Sequence, residues 1–445
     1  MFKLSILSKM TKLIKSISSE IVLKEEVSKI LYNAAKQTWC NRKGRLGELI
    51  VPFDDFSGVR AIDVSNLPSG TLMNIGFDGV GTKMELAERI NDHRTIAFDL
   101  FAMVCDDAIV RGAEPVLIGS ILDVNTLGKG NNNFIEQVKQ LTEGYINAAK
   151  SANVAIVNGE VAELGNRIGG FGSNFFVLNL AHNYISLNLR EDNWKDIQLL
   201  SSYLIETNEK LKNKIYKQLK VPEKGFIDNA DSLRTLNYNW GAAVVWFAKK
   251  ERLFTGREIQ AGDYLVGLKE TGFRSNGLSL VRKIMRTNHG EDWHNQIYDG
   301  ESLGKLVLEP SRIYSGAVVE MFGGFQDEPK AKIHGVVHIT GGGIPGKLGR
   351  VLKPSGLGAT ISEPYSPTKL MLYCQDKGNI YDREAYKTWN MGPGMIIITP
   401  EPEKVMKISN NHNIESKVIG QVESKPGIRI FDAGVYSKNK YLHFK

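Results

Sequence analysis

The chain has 445 residues, 42% hydrophobic and 24% charged, an ordinary globular composition whose length fits two or three domains and a core that needs no disulfide staples. Its net charge of +7 is spread widely, with clusters at 9–15 and 210–220, rather than gathered on one aromatic-laced face, so no nucleic-acid partner is expected. Cys40, Cys105 and Cys374 are far apart, which excludes a disulfide framework or a CxxC zinc site and fits a reducing, cytoplasmic compartment, and no apolar run reaches membrane-span length.

The first twenty residues, MFKLSILSKMTKLIKSISSE, hold four lysines and no acid before Glu20. They match an organellar presequence, although such segments favour Arg over Lys, and equally a basic amphipathic helix or a frayed terminus. Residues 1–45 are read as an N-terminal extension. Within it, Ile21, Val22, Val27, Ile30, Leu31 and Ala34 recur at helical spacing and predict a helix over 20–40. TLMNIGFD reads as a strand ending at Asp78, GVGT as a turn, and KMELAERI as a helix. A long apolar-periodic helix over 95–110 stops at Gly112, a fitting helix end. PVLIGSILDV reads as a strand, 132–152 as a helix and NVAIVNGE as a strand. Residues 165–236 read as an insertion, Gly-rich at first and then Lys-, Glu- and Asn-rich. WGAAVVWFA and AGDYLVGL return to strand patterns, and SLVRKIMR to a helix. SRIYSGAVVEMF follows as a helix, VVHITGGGIPGKLGRVL as strand, turn and helix, and MGPGMIIITP and SKVIGQVE as strands. This alternation predicts an α/β (α+β layered) fold, with an N-terminal domain over 46–265 carrying the insertion and a C-terminal domain over 266–445.

Several polar positions stand where chemistry gathers in such folds. Asp78 closes a strand, Gly79 and Gly81 let amides approach an anion, and Thr82 and Lys83 open the next helix. A carboxylate beside a phosphate cradle makes sense when Mg²⁺ bridges the two; alone, the loop is equally a tight turn with a solvated lysine. Asp106 and Asp107 sit adjacent in an apolar helix, so at least one lies near the buried edge and needs a partner. Glu160 follows another strand. Asp78, Asp107 and Glu160 are thus expected to converge at one end of a sheet as metal ligands. Two further glycine turns open helices: Ser275, Asn276 and Gly277, and Thr340 with Gly341, Gly342 and Gly343 after His338. They are candidates for phosphate or ATP contacts. His338 is a candidate for proton transfer, set against a structural, hydrogen-bonded role.

These motifs resemble, in order, those of the phosphoribosylformylglycinamidine cyclo-ligase (aminoimidazole ribonucleotide synthetase) family: DGVGTK at 78–83, HRTIAFDLFAM and DDAIVRGAEP across 93–115, NGEVAEL at 158–164 and SNGLSLVRKI at 275–284. LEPSRIY at 308–314, IHGVVHITGGG at 333–343, YKTWNMGPGM at 386–395 and VIGQVE at 418–423 complete the set. The resemblance implies a two-domain synthetase-like fold with mixed sheets packed by helices, and a homodimer whose N-terminal strands pair across the interface. It implies Mg²⁺-dependent ATP binding on carboxylates matched by Asp78 and Asp107, and ring closure of formylglycinamidine ribonucleotide in purine biosynthesis. The chain also departs from the family. A GGFG-like segment is missing before Asp78, while IGGFGS occurs at 168–173. Arg274 stands where a His usually precedes Ser-Asn-Gly, and Gly346–Lys347 replaces an acid-and-asparagine turn. Another ATP-dependent enzyme of the superfamily, or a non-catalytic nucleotide-binding homologue, is the alternative; the acids at 78, 107 and 160 argue against the latter.

Overall fold

The computed structural model describes residues 21–51, 58–129, 132–171, 235–290, 292–437 and 439–444; residues 1–20 and most of the insertion lie outside the described residues. Helix α1 covers 21–38. The first half is built on strands β1 (Thr71–Gly79), β2 (Glu114–Val124), β3 (Ala155–Glu163) and β4 (Tyr238–Lys249), in the spatial order β1-β4-β2-β3. β4 runs antiparallel to both β1 and β2, and β2 pairs parallel with β3. Helices α2 (Met84–Ile90), α3 (Ile96–Ile109) and α4 (Ile135–Ala152) complete this half. Each predicted element here appears, with α4 starting three residues later than expected because Asn132 and Asn133 pair with Gly128 and Lys129 in a small ribbon.

The period-two pattern of strands decides which face is covered. Ala242 and Val244 of β4, with Ile118 and Leu122 of β2, point to the helices and pack with Leu100, Phe101 and Val104 of α3 and Leu141, Tyr145 and Ala148 of α4. On β1 the alternate residues Met73, Ile75 and Phe77 face away and stay 62%, 45% and 73% exposed. No helix of the described chain covers that face.

The second half is a seven-stranded mixed sheet. Its strands are β5 (Tyr264–Lys269), β6 (Gly335–His338), β7 (Gly358–Ile361), β8 (Pro393–Thr399), β9 (Ser416–Glu423), β10 (Gly427–Phe431) and β11 (Tyr441–Phe444), in the order β6-β8-β5-β9-β7-β10-β11. The expected division at 265 would cut through β5; the chain changes sheet between Lys249 and Tyr264. Helices α5 (Leu278–His289), α6 (Leu303–Leu308), α7 (Ser315–Phe322), α8 (Gly343–Leu352), α9 (Lys369–Lys377), α10 (Asp382–Thr388) and α11 (Pro402–Asn411) pack around it. Helix α7 is shorter than the sequence pattern suggests: residues 311–314 lie outside it, and the amides of Arg312 and Tyr314 go to the carboxylates of Glu270 and Asp106.

The insertion leaves and rejoins the fold at one point. Both ends are tied to Glu88 of α2, whose Oε2 accepts the Phe171 amide at 2.7 Å and whose Oε1 accepts the Tyr238 amide at 3.3 Å. Asn237 also donates to the Phe171 carbonyl at 2.7 Å, and the Arg89 guanidinium lies 4.5 Å from the Phe171 ring. Glu88 is 2% exposed, and burial pushes its carboxyl up to about 8, against the opposing pull of the two amides, Asn237 and Arg89. An acid raised in the folded state binds more protons folded than unfolded, so stability falls as pH climbs from the ordinary carboxyl range towards 8. Replacing Glu88→Gln should flatten that slope: melting temperatures of wild type and variant, compared at pH 5.5 and pH 8, should differ most in the variant's favour at pH 8.

Candidate active site

The two halves meet around one buried guanidinium. Arg274 follows β5 in the turn before α5, with φ at 60° and 1% exposure. Its Nη1 donates to Glu270 Oε2 at 2.6 Å and to the Arg312 carbonyl at 3.0 Å. Its Nη2 donates to Asp106 Oδ2 at 3.3 Å and to His338 Nε2 at 2.8 Å. Asp106, on α3 of the first half, also accepts the amides of Tyr314 and Ser315 at 3.0 and 2.9 Å. Of the two aspartates, Asp106 is therefore the buried one, and its partner is Arg274. The guanidinium and its two carboxylate partners hold α3, β5 and the start of α7 in register.

That register fixes Asp107. A guanidinium only donates, so His338 Nε2 must accept, and the imidazole proton sits on Nδ1. Nδ1 then donates to Asp107 Oδ1 at 2.7 Å. Burial pushes His338 down to about 4, and Arg274 adds to that, so the ring is neutral near pH 7. Although burial opposes it, Asp107 is held below the usual carboxylate range by the His338 hydrogen bond. Its side chain is 59% exposed while His338 is 3% exposed. His338 is thus a buried brace for an outward-facing carboxylate, and neither ring nitrogen is free to shuttle protons.

Asp78 stands at the end of β1, with Oδ1 accepting the Gly79 amide at 2.7 Å. Burial raises its carboxyl, and the charge of Asp107 raises it further. Asp78 and Asp107 are therefore close enough to repel. Each keeps its second oxygen clear of protein donors among the described residues, a pair of hard oxygen donors of the kind that holds Mg²⁺ together with phosphate. Lys347 of α8 acts electrostatically on both.

The remaining candidates divide. Glu160 lies three strands from β1: Gly79 pairs with Gly241, Gly241 with Ile121, and Ile121 with Glu160. At about 4.8 Å per strand that is roughly 14 Å, and Glu160 points to the exposed face while Asp78 points to the helices. The expected third ligand is not at the site, and among the described residues no group of three or more His, Cys, Asp or Glu could hold a metal. Lys83 is also corrected. It is fully buried and donates to Asp99 Oδ1 at 2.8 Å and to the Glu309 carbonyl, so it is neither a solvated lysine nor a phosphate ligand. Ser275 gives its one hydroxyl proton to the same Asp99 oxygen at 3.3 Å, and Ser311 does likewise. Lys83, Asp99, Ser275 and Ser311 form a second polar bolt between the halves.

Gly79, Gly81 and Thr82 line the turn after Asp78, with Gly81 and Thr82 exposed. The later two turns come together: Gly341 lies 3.7 Å, measured from an added Cβ, from Asn276 Oδ1. Both rest on α10 and the residue beyond it. A side chain at Gly277 would meet the Trp389 ring at 2.6 Å, and one at Gly343 would strike the Tyr386 carbonyl. Both glycines also have positive φ, 75° and 59°, so these glycines serve packing as well as backbone conformation. Gly341 and Gly342 are exposed, whereas Thr340 is buried. Sequence reading missed Arg274, Glu270 and Asp99 as site residues because their partners lie up to 212 residues away; the only local hint was an arginine in a glycine-serine turn.

A four-stranded sheet and a seven-stranded sheet bolted across a carboxylate pair define a two-domain protein of the AIR synthase type. Residues 60–177 match the family model "AIR synthase related protein, N-terminal domain" and residues 260–433 its C-terminal counterpart. The chain is 31% identical over 353 residues to the phosphoribosylformylglycinamidine cyclo-ligase of Methanocaldococcus jannaschii, covering 78% of this chain and 77% of that one. It is 28% identical over 410 residues to that of Thermococcus kodakarensis, covering 92% and 94%. Escherichia coli HypE, a hydrogenase maturation protein, shares the fold at a TM-score of 0.51 and 14% identity, over 95% of this chain and 96% of that one. The chain belongs to the phosphoribosylformylglycinamidine cyclo-ligase family.

If Lys83 neutralises buried Asp99 rather than a bound phosphate, Lys83→Met should cost about 3–5 kcal/mol of stability, because it leaves an unpaired buried charge. Urea unfolding without any nucleotide should show this loss in full.

Proposed function

We propose that the chain catalyses ATP-dependent ring closure of formylglycinamidine ribonucleotide to aminoimidazole ribonucleotide, a step of purine biosynthesis. The observation that carries the reading is Asp107, an exposed carboxylate braced by His338 and set against Asp78 where the two halves of a cyclo-ligase-family chain meet. In this reaction the γ-phosphoryl group of ATP passes to the formamide-type oxygen of the substrate, leaving ADP. A substrate nitrogen then attacks that carbon, phosphate departs with the oxygen, and the nitrogen loses a proton as the imidazole forms. The protein's part in such chemistry is positioning and charge neutralisation.

Mg²⁺, when bound, supplies neutralisation of the phosphate charge, and Asp78 and Asp107 are the residues that would hold it. The His338 hydrogen bond keeps Asp107 ionised and fixed in orientation for that task. Gly81 and Thr82 in one turn, and Gly341 and Gly342 in the other, offer exposed backbone for phosphate oxygens. No helix among the described residues is long and apolar enough to cross a membrane, and the soluble ribonucleotide substrate fits a cytoplasmic enzyme.

We further propose a homodimer. Met73, Ile75, Phe77 and Ile121 share the uncovered face of the N-terminal sheet, and a second copy of that sheet is the self-complementary partner such a face needs. Phe77→Glu should convert the dimer to a monomer in light scattering, whereas an unchanged mass would remove the face from the interface.

The direct test is incubation with formylglycinamidine ribonucleotide, ATP and Mg²⁺. Aminoimidazole ribonucleotide should appear together with ADP, one for one. Asp107→Asn should cut turnover at least about 100-fold while leaving the melting temperature close to that of wild type. ATP hydrolysis without the ribonucleotide product would point to a different substrate.

A further inference from the structure

Lys83 is sealed inside, and the lysine whose charge reaches both carboxylates belongs to the other half. Lys347 stands in the second turn of α8, beyond the Gly341–Gly343 turn, and is half-buried. Its charge acts on both Asp78 and Asp107, and theirs acts on it. Yet among the described residues its ammonium has neither a hydrogen-bond acceptor nor an ion-pair partner, although burial and the neighbouring Arg350 both press against its charge.

Two features of this arrangement call for a ligand. An ammonium near two carboxylates ordinarily closes onto one of them, because a charged hydrogen bond outweighs the entropy of the side chain when both groups are partly desolvated. Here Asp107 spends its Oδ1 on His338 and Asp78 its Oδ1 on the Gly79 amide, and the lysine stays apart. The site is also polar in the electrical sense: acids stand on the side given by β1 and α3, and Lys347 stands on the side given by α8. A metal-bound polyphosphate has the complementary pattern, cationic towards the carboxylates and anionic towards the lysine.

We propose that Lys347 is the phosphate-binding cation of the site, its ammonium donating to nucleotide phosphate oxygens across the cleft from Asp78 and Asp107. This rests on the nucleotide reading of the preceding subsection and adds the residue that discriminates among nucleotides by phosphate number. Lysine suits the task as a compact charge with three donors on a flexible stem, able to follow a phosphate as it is transferred.

Calorimetric titration of ATP, ADP, AMP and adenosine, each with Mg²⁺, into wild type, Lys347→Met and Lys347→Arg provides the test. Loss of one charge-assisted contact should weaken ATP binding to the methionine variant roughly 10- to 100-fold. The loss should shrink down the series to nothing for adenosine, and Lys347→Arg should recover most of the ATP affinity. Lys347→Gln carries the same expectation should the methionine variant be unstable. Unchanged ATP affinity would overturn the assignment, as would an equal loss for ATP and adenosine, which marks a structural role. Tighter Mg²⁺ binding without any change for ATP would make Lys347 a mere counter-charge and likewise overturn it. Wild type that binds no ATP at all would instead remove the nucleotide reading itself, and this proposal with it.

Discussion

The contact on which the rest of the structure depends is the Arg274 guanidinium, shared between Glu270 of its own half, Asp106 of the other half and His338 of β6. Burying one cation is costly unless its charge and its donors are both met. Meeting them here requires α3, β5 and β6 to arrive at one place, so the ion network sets the relation of the two sheets. What it delivers is an ordering of protons. Arg274 forces the acceptor role on Nε2, Nδ1 must carry the hydrogen, and Asp107 receives it. A carboxylate at the surface of the cleft is thereby oriented from within the core, two bonds removed from any solvent fluctuation.

Lys83 and Asp99 do the same work at a second point, with Ser275 and Ser311 closing the network. The glycine turns that open α5 and α8 are held by a third contact, the packing of Gly277 and Gly343 on Trp389 and Tyr386. Of the motifs that resemble a phosphate-binding set, Lys83 and Ser275 thus lock the halves together, while Gly277 and Gly343 pack within the second half. Among the described residues, Asp78, Asp107, Lys347 and the exposed backbone of Gly81, Thr82, Gly341 and Gly342 are left outside these networks. That division explains how so polar a sequence region can be so deeply buried.

Much of this architecture was legible in the sequence. Strands such as Glu114–Val124 and helices such as Ile96–Ile109 announce themselves because their apolar periods are long and their ends are marked by glycine or proline. The acids at 78 and 107 were legible because a carboxylate in an apolar setting needs a reason. What was not legible was depth and distance. Lys83 follows a glycine turn just as a phosphate lysine would, and only tertiary contact with Asp99 and Glu309 reveals it as internal. Glu160 ends its segment much as Asp78 does, but strand order placed two strands between them and strand parity turned them to opposite faces. Short helices such as Lys369–Lys377 and Asp382–Thr388, and the short strands Gly427–Phe431 and Tyr441–Phe444, have too few residues for a period to show. The insertion, by contrast, was legible by composition, and the Glu88 tie explains how the fold accommodates it without disturbing either sheet.

The central claim is that this chain, through Asp107, performs the cyclo-ligase step. Growth without added purine, in cells lacking their own cyclo-ligase, measures fold, substrate and turnover together. The account predicts that wild type restores growth and that Asp107→Asn, present at the same soluble level, does not. Failure of soluble wild type to restore growth, or rescue by both alike, would contradict it.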